Sequence, residues 1–135
     1  MNAFIIELEN RPGELAKLAE ALAEKGINIV GISAATSGSS GGIGLTTNDT
    51  DGTAAALDAA GIEHRQVEMV SAGLEDRPGT LAEAARRLAD AGVNVELVLT
   101  TGRSGSRIDT GFGVDDAVAA REALGDLVSA GSTTG

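Results

Sequence analysis

Phe4, Ile6 and Leu8 alternate with Ile5, Glu7 and Glu9, the period-two pattern of a strand with one buried face. Val70, Ala72 and Leu74 repeat it at an offset of 66. After each strand the period changes. Leu15, Leu18, Ala19 and Leu22, and later Leu81, Ala84, Ala85 and Leu88, recur every three to four residues, which predicts a helix with one apolar stripe in each half. Second strands follow at residues 27–35 and 93–101, with return strands at 43–47 and 106–113 across loops at 36–42 and 102–105. Asp49 or Asp51 can cap a helix that ends before Gly61, and Asp115 or Asp116 one that ends before Gly125.

The pattern recurs because the chain is a duplication. Residues 10–32 and 76–98 align without a gap, and 10 of the 23 positions are identical, including Arg11/Arg77, Pro12/Pro78, Gly13/Gly79, Leu15/Leu81, Gly26/Gly92 and Asn28/Asn94. Proline at the first helical position brings a preset φ and lacks a donor that the helix would not use there. Asn10 and Asp76, just upstream, are residue types that cap a helix start, and Gly26 and Gly92 suit the left-handed residue that ends one.

Residues 62–75 contain no turn signal except Gly73, which predicts one long strand holding the end of the first copy and the beginning of the second. Only residues 126–130 are left to close the second copy, so its last strand is short or comes from another chain. The expected modules are residues 1–67 and 68–130, with 131–135 as a flexible tail. Strand, helix, strand, strand, helix, strand in each copy predicts the α+β class: two ferredoxin-like βαββαβ modules with antiparallel sheets and helices on one face.

Each module of about 65 residues lies near the lower size limit for independent stability. The absence of cysteine excludes disulfides, thiolate catalysis and thiolate metal sites. A net charge of −10, with Lys17 and Lys25 the only lysines, argues against nucleic acid, whose binding requires basic clusters. Acidic, lysine-poor surfaces also suit a high-salt host. Phe4 and Phe112 are the only aromatic residues apart from the single histidine, so no stacking platform for bases exists. No signal peptide is apparent and the apolar runs are too short to span a bilayer, so a cytoplasmic protein without membrane contact is expected.

Little here suggests catalysis. His64 stands alone on a predicted strand, and the serines cluster in glycine-rich loops. Gly38, Gly41, Gly42 and Gly44 join two strands and have no lysine beside them, whereas a phosphate loop joins a strand to a helix. The carboxylate pairs Glu7/Glu9 and Asp115/Asp116 fit a solvent face and a helix start. Neither a metal nor a cofactor is indicated.

The repeated turn is the best candidate site. Amides at Gly13, Glu14 and Leu15, and at Gly79, Thr80 and Leu81, would point out of helix N-termini and could receive a carboxylate. Asn10, Asn28, Asp76 and Asn94 could frame such a pocket. The alternative is that Asn10 and Asp76 only cap while Asn28 and Asn94 only begin strands.

Asn/Asp-Arg-Pro-Gly-x-Leu at 10–15 and 76–81, followed after the helix by Gly-Ile/Val-Asn-Ile/Val at 26–29 and 92–95, resembles the ACT domain, a small amino-acid-binding regulatory module. The resemblance covers nearly the whole chain and is to the stand-alone tandem class. It implies a non-enzymatic sensor with strand order 4-1-3-2 and a small amino acid held where modules pair, within the chain or in a homodimer. The regulated partner would be a metabolic enzyme. It further implies ligand-binding residues Asn10, Arg11, Pro12, Gly13, Glu14, Leu15 and Asn28 in the first copy. Asp76, Arg77, Pro78, Gly79, Thr80, Leu81 and Asn94 would play these parts in the second. Asp76 departs from the family's asparagine. A competing reading is an assembly module that acts through its sheet edges without a small ligand.

Overall fold

In the computed structural model, which describes residues 1–129, the alternating segment forms β1 (Asn2–Glu9) and the three-to-four-residue repeat forms α1 (Glu14–Ala23). The first half continues with β2 (Ile29–Ser37), β3 (Ser40–Thr47) and α2 (Thr50–Ala59). The second half contains β4 (Arg65–Glu75), α3 (Thr80–Asp90), β5 (Val95–Ser104), β6 (Arg107–Val114) and α4 (Ala117–Leu124), then a 3-10 turn at Gly125–Leu127. The chain divides into two compact units, Ala3–Gln66 and the chain from Val67 onward together with Met1–Asn2. They are the first and second modules.

In the first module β3 lies between β2 and β1, antiparallel to both. In the second, β6 lies between β5 and β4 in the same way. These arrangements match the order 1-3-2 within each copy. Inward-facing Phe4, Ile6, Ile43 and Leu45 pack against Leu18, Leu22 and Leu57 in the first core. Val70, Leu74, Phe112 and Val114 pack against Leu88 and Leu124 in the second. The polar partners in the alternation, Glu7 and Glu9, are exposed, as period two requires.

Four local expectations change. Both hairpin loops shrink to two residues, Gly38–Ser39 and Gly105–Ser106, because a glycine at φ 62 or 61 supplies the positive φ that a tight antiparallel turn needs. The predicted loops at 36–42 and 102–105 are therefore mostly strand. The helical stripes also begin later than the periodicity suggests: Leu15 is 53% exposed and Leu81 52%, while Leu18, Leu22, Ala84 and Leu88 are buried.

The closing strand of the second module reduces to a single antiparallel bridge between Val128 and Ala72, with the Ser129 amide donating to the Ser71 carbonyl at 2.8 Å. Two positions further back on that edge of β4, the Met69 amide is already bonded to the Met1 carbonyl at 3.0 Å. Residues 69 and 71 turn their backbone groups the same way, so the slot for a longer strand is filled. The expected end of that strand at Ala130, and the tail at 131–135, lie outside the described residues.

The two copies also differ by one residue. Ala34 corresponds to Thr100 at an offset of 66, but Ala35 corresponds to Gly102 at 67, and the register of β5 on β6 shifts between Thr100 and Gly102. Thr101 is the inserted residue, absorbed as a bulge.

Candidate functional site

The Arg-Pro-Gly turns leave β1 and β4 and enter α1 and α3. Each helix begins one residue after its glycine, at Glu14 and Thr80, so the prolines precede the helix and do not occupy its first position. Gly13 (φ 93, ψ −13) and Gly79 (φ 94, ψ −13) are the N-cap residues, in left-handed geometry and with no side-chain hydrogen bond at the cap. A glycine is required because a Cβ strains that φ.

This geometry overturns the expected capping by Asn10 and Asp76. Asn10 Nδ2 donates to the Gly38 carbonyl at 3.0 Å, and its amide to the Ser39 carbonyl at 2.9 Å, tying the turn to the β2–β3 hairpin. Asp76 keeps the backbone tie, to the Ser106 carbonyl at 2.9 Å, but its carboxylate receives Arg103 Nη2 at 2.9 Å. The other two helices are capped by side chains: Asp49 Oδ1 accepts from the Gly52 amide at 2.9 Å, and Asp116 Oδ1 from the Ala119 amide at 3.0 Å. Within each module, then, an aspartate caps one helix start while a bare glycine begins the other.

Around the first turn, Arg11 is held by Glu9 at 3.0 Å and by Glu14. The hydrogen bond that Arg11 donates to Glu14, then the charge of Glu14, then that of Glu9, push the guanidinium pKa further up. In the second turn Thr80 replaces Glu14 and donates to the Glu75 carbonyl at 2.8 Å. Glu75 instead accepts from Ser106 Oγ at 2.8 Å and pairs with Arg107 Nε at 3.3 Å. The Ser106 hydrogen bond first, and Arg107 second, hold its carboxyl below the usual range. Among the described residues Arg77 has no ion pair, unlike Arg11.

Asn28 and Asn94 precede β2 and β5 with exposed side chains. Their backbones are clamped: the Asn28 amide donates to Asn48 Oδ1 at 3.1 Å and its carbonyl receives the Asn48 amide at 3.1 Å. The Asn94 amide donates to Asp115 Oδ1 at 2.9 Å and its carbonyl receives the Asp115 amide at 3.3 Å. The sequence signal for this pair was the dipeptide before each helix, Asn48-Asp49 and Asp115-Asp116, aligned at 67 once Thr101 is counted.

The turns do not gather all the expected residues. A cleft of about 240 Å³ in the first module is walled by Glu7, Glu9, Arg11, Glu14, Lys17 and Glu63, among others, and neither Asn10 nor Asn28 reaches it. A second cleft of about 390 Å³ shares the Gly61–Ile62–Glu63 wall and adds Asp58 and His64. No group of three or more histidine or acidic side chains suited to a metal occurs among the described residues. No helix among them is long and apolar enough to cross a membrane.

A family model described as "ACT domain" matches residues 3–60 and again residues 69–127. Among solved structures, protein BT0572 from Bacteroides thetaiotaomicron aligns with TM-score 0.79 at 22% identity, over 97% of this chain and 92% of that one. The ligand-free regulatory subunit of aspartate kinase from Thermus thermophilus aligns with TM-score 0.67 at 26% identity, over 93% and 91%. The corresponding subunit from Thermus flavus gives 0.61 at 24%, over 91% and 88%. The tandem ferredoxin-like arrangement is thus shared along nearly the full length of these proteins. No curated protein matches the chain.

Proposed function

Because the chain belongs to the ACT domain family, with the domain present twice, we propose that it is a regulatory protein without catalytic activity. In this reading it binds an amino acid at the starts of α1 and α3 and conveys its presence to a metabolic enzyme. The observation that carries the reading is the contrast at the helix starts: Asp49 and Asp116 cap α2 and α4, while Gly13 and Gly79 leave the caps of α1 and α3 without a side chain. Backbone amides at an uncapped start, together with the helix dipole, favour a carboxylate. Asn10 lies in the connection that enters α1, and Asn28 and Asn94 lie in those that leave α1 and α3, all exposed and able to meet an ammonium group brought by a paired module. The likeness to an aspartate kinase regulatory subunit supports an enzyme as partner, reached through pairing of modules within the chain or between two copies.

Calorimetric titration with each of the twenty amino acids tests the reading. At least one should bind, and Asn10→Ala with Asn28→Ala should weaken it in the first module while the fold persists. Silence from all twenty counts against the sensor.

One observation favours the assembly reading: within their modules β2 and β5 pair on one side only, to β3 and β6, and expose Ile32 and Val98. Native mass measurement separates the two, since an assembly module holds its partner without any amino acid.

A further inference from the structure

We infer that residues 125–129 form a strap that opens and closes as one unit over the edge of β4, and that Arg87 is the latch that holds it shut. The inference concerns the second module alone and does not depend on the sensor reading.

The strap is joined to the sheet at few points. Among the described residues its backbone meets β4 at the bridge between Val128 and Ala72 and through the Ser129 amide, which donates to the Ser71 carbonyl at 2.8 Å. Between α4 and that bridge the chain makes the 3-10 turn Gly125–Leu127, closed by the Val128 amide on the Gly125 carbonyl at 3.2 Å. Gly125 takes φ 52, which ends α4 and gives the strap a hinge. A ladder of many rungs opens only with the sheet, whereas one bridge and one further amide can part by themselves.

Arg87 makes up the deficit from α3. Its Nη1 donates to the Leu124 carbonyl at 2.9 Å and to Asp126 Oδ1 at 3.1 Å, and its Nη2 to Glu83 Oε1 at 2.9 Å. One guanidinium thus reaches from its own helix to the last carbonyl of α4, where positive charge is favoured, and to the strap itself. A planar fork holds all three partners at once, which a point charge does less well. The Arg87 side chain is 32% exposed and that of Asp126 83%, so the strap's end of the contact faces water and is the end that lets go. The tie belongs to the second copy: Arg87 corresponds to Ala21, which has no group for such bonds. It therefore occurs in the module whose closing strand is reduced to a bridge.

Closed, the strap lays Leu127 and Val128 against the second core and occupies the Ser71 carbonyl. Open, it bares both and leaves unpaired backbone groups on a strand edge. The latch sets how often the second module presents that edge.

Amide hydrogen exchange, followed by NMR on the full chain at several urea concentrations below the unfolding transition, reads the opening directly. In the parent, the Val128 and Ser129 amides should exchange about tenfold or more faster than the slowest amides of the β4–β6 ladder. Their rates should be nearly independent of urea, since opening a short strap exposes little surface. Arg87→Ala should speed these two amides by about tenfold or more, still without urea dependence. Arg87→Lys, which keeps the charge and loses the fork, should recover part of that, and Asp126→Asn should act in the same direction as Arg87→Ala but less strongly. Exchange of Val128 and Ser129 at the ladder's rate and with the ladder's urea dependence would overturn the strap, because the segment would then open only when the module unfolds. Unchanged rates at these two amides in Arg87→Ala or, should that variant not fold, in Asp126→Asn, would overturn the latch.

Discussion

Phe4 stands directly opposite Leu45 across β1 and β3, and at the corresponding place in the second module Val70 stands opposite Phe112. Each module has one buried phenylalanine, and the two modules carry it on opposite strands of the same pair. The site thus holds one large and one smaller apolar side chain in either order, and cores tolerate exchanges that conserve total volume. Phe4→Val alone should cost about 2–4 kcal/mol by cavity formation. Adding Leu45→Phe should restore about half of that or more, read from urea unfolding at fixed m-value. A double variant no more stable than the single one would show that the two positions are not interchangeable.

Gly111 separates a steric need from a conformational one. A Cβ there would lie 2.6 Å from Met69 Sδ, whereas at Gly42 it would meet nothing within 4 Å, and φ is positive at neither. Gly111→Ala should therefore cost about 1–3 kcal/mol by overpacking against a buried methionine. Gly42→Ala on the first module's exposed hairpin should fall within about 0.5 kcal/mol of the parent. Paired denaturation curves decide it.

The helix starts predict a third contrast. Asp116→Ala removes the acceptor of the Ala119 amide and should cost about 1 kcal/mol, and Asp49→Ala a similar amount. Asn10→Ala removes only an exposed hydrogen bond to the Gly38 carbonyl and should cost less than either cap. If thermal melts rank Asn10→Ala above the two aspartate variants, the turn matters more to the fold than its geometry implies.

Acid should weaken the second module by a traceable route. Ser106 and Arg107 lower the Glu75 carboxyl below its ordinary 4.5, and Arg87, through a hydrogen bond and then its charge, lowers Asp126 below its ordinary 3.8. A carboxyl with a depressed folded-state value contributes stability that is present above the unfolded value and lost as pH falls through the folded one. Glu75→Gln and Asp126→Asn should thus flatten the acid limb of a Tm-against-pH profile while the curves above the carboxylate range stay parallel to the parent. An unchanged acid limb in both variants would remove these pairs as its cause.

Much of this fold was legible because periodicity and duplication reinforce each other. Leu18, Leu22 and Leu88 are buried where the helical period places them, and Gly26 and Gly92 take positive φ after their helices. The failures are local. Asn10 and Asp76 looked like caps because residue type predicts capping, but a left-handed glycine between them and the helix turns their side chains toward the hairpins. Leu15 and Leu81 fit the stripe in period yet are left about half exposed in the first turn of each helix. For the candidate site the sequence marked the turns and no more. Lys17, Asp58, Glu63 and His64 come from three separate segments, and only the fold brings them to adjoining clefts.

Thr101 makes the outer strands of the two modules unequal. A bulge interrupts the regular spacing of amides and carbonyls and bends the strand, and β5 has two such interruptions where β2 has one. From Gly31 to Ser37 the β2 ladder runs without a break, so an incoming extended segment finds there seven consecutive residues in register, every second one turned toward it, while on β5 it would lose step midway. Of the two margins, it is that of β2 that offers a foreign strand a continuous rail.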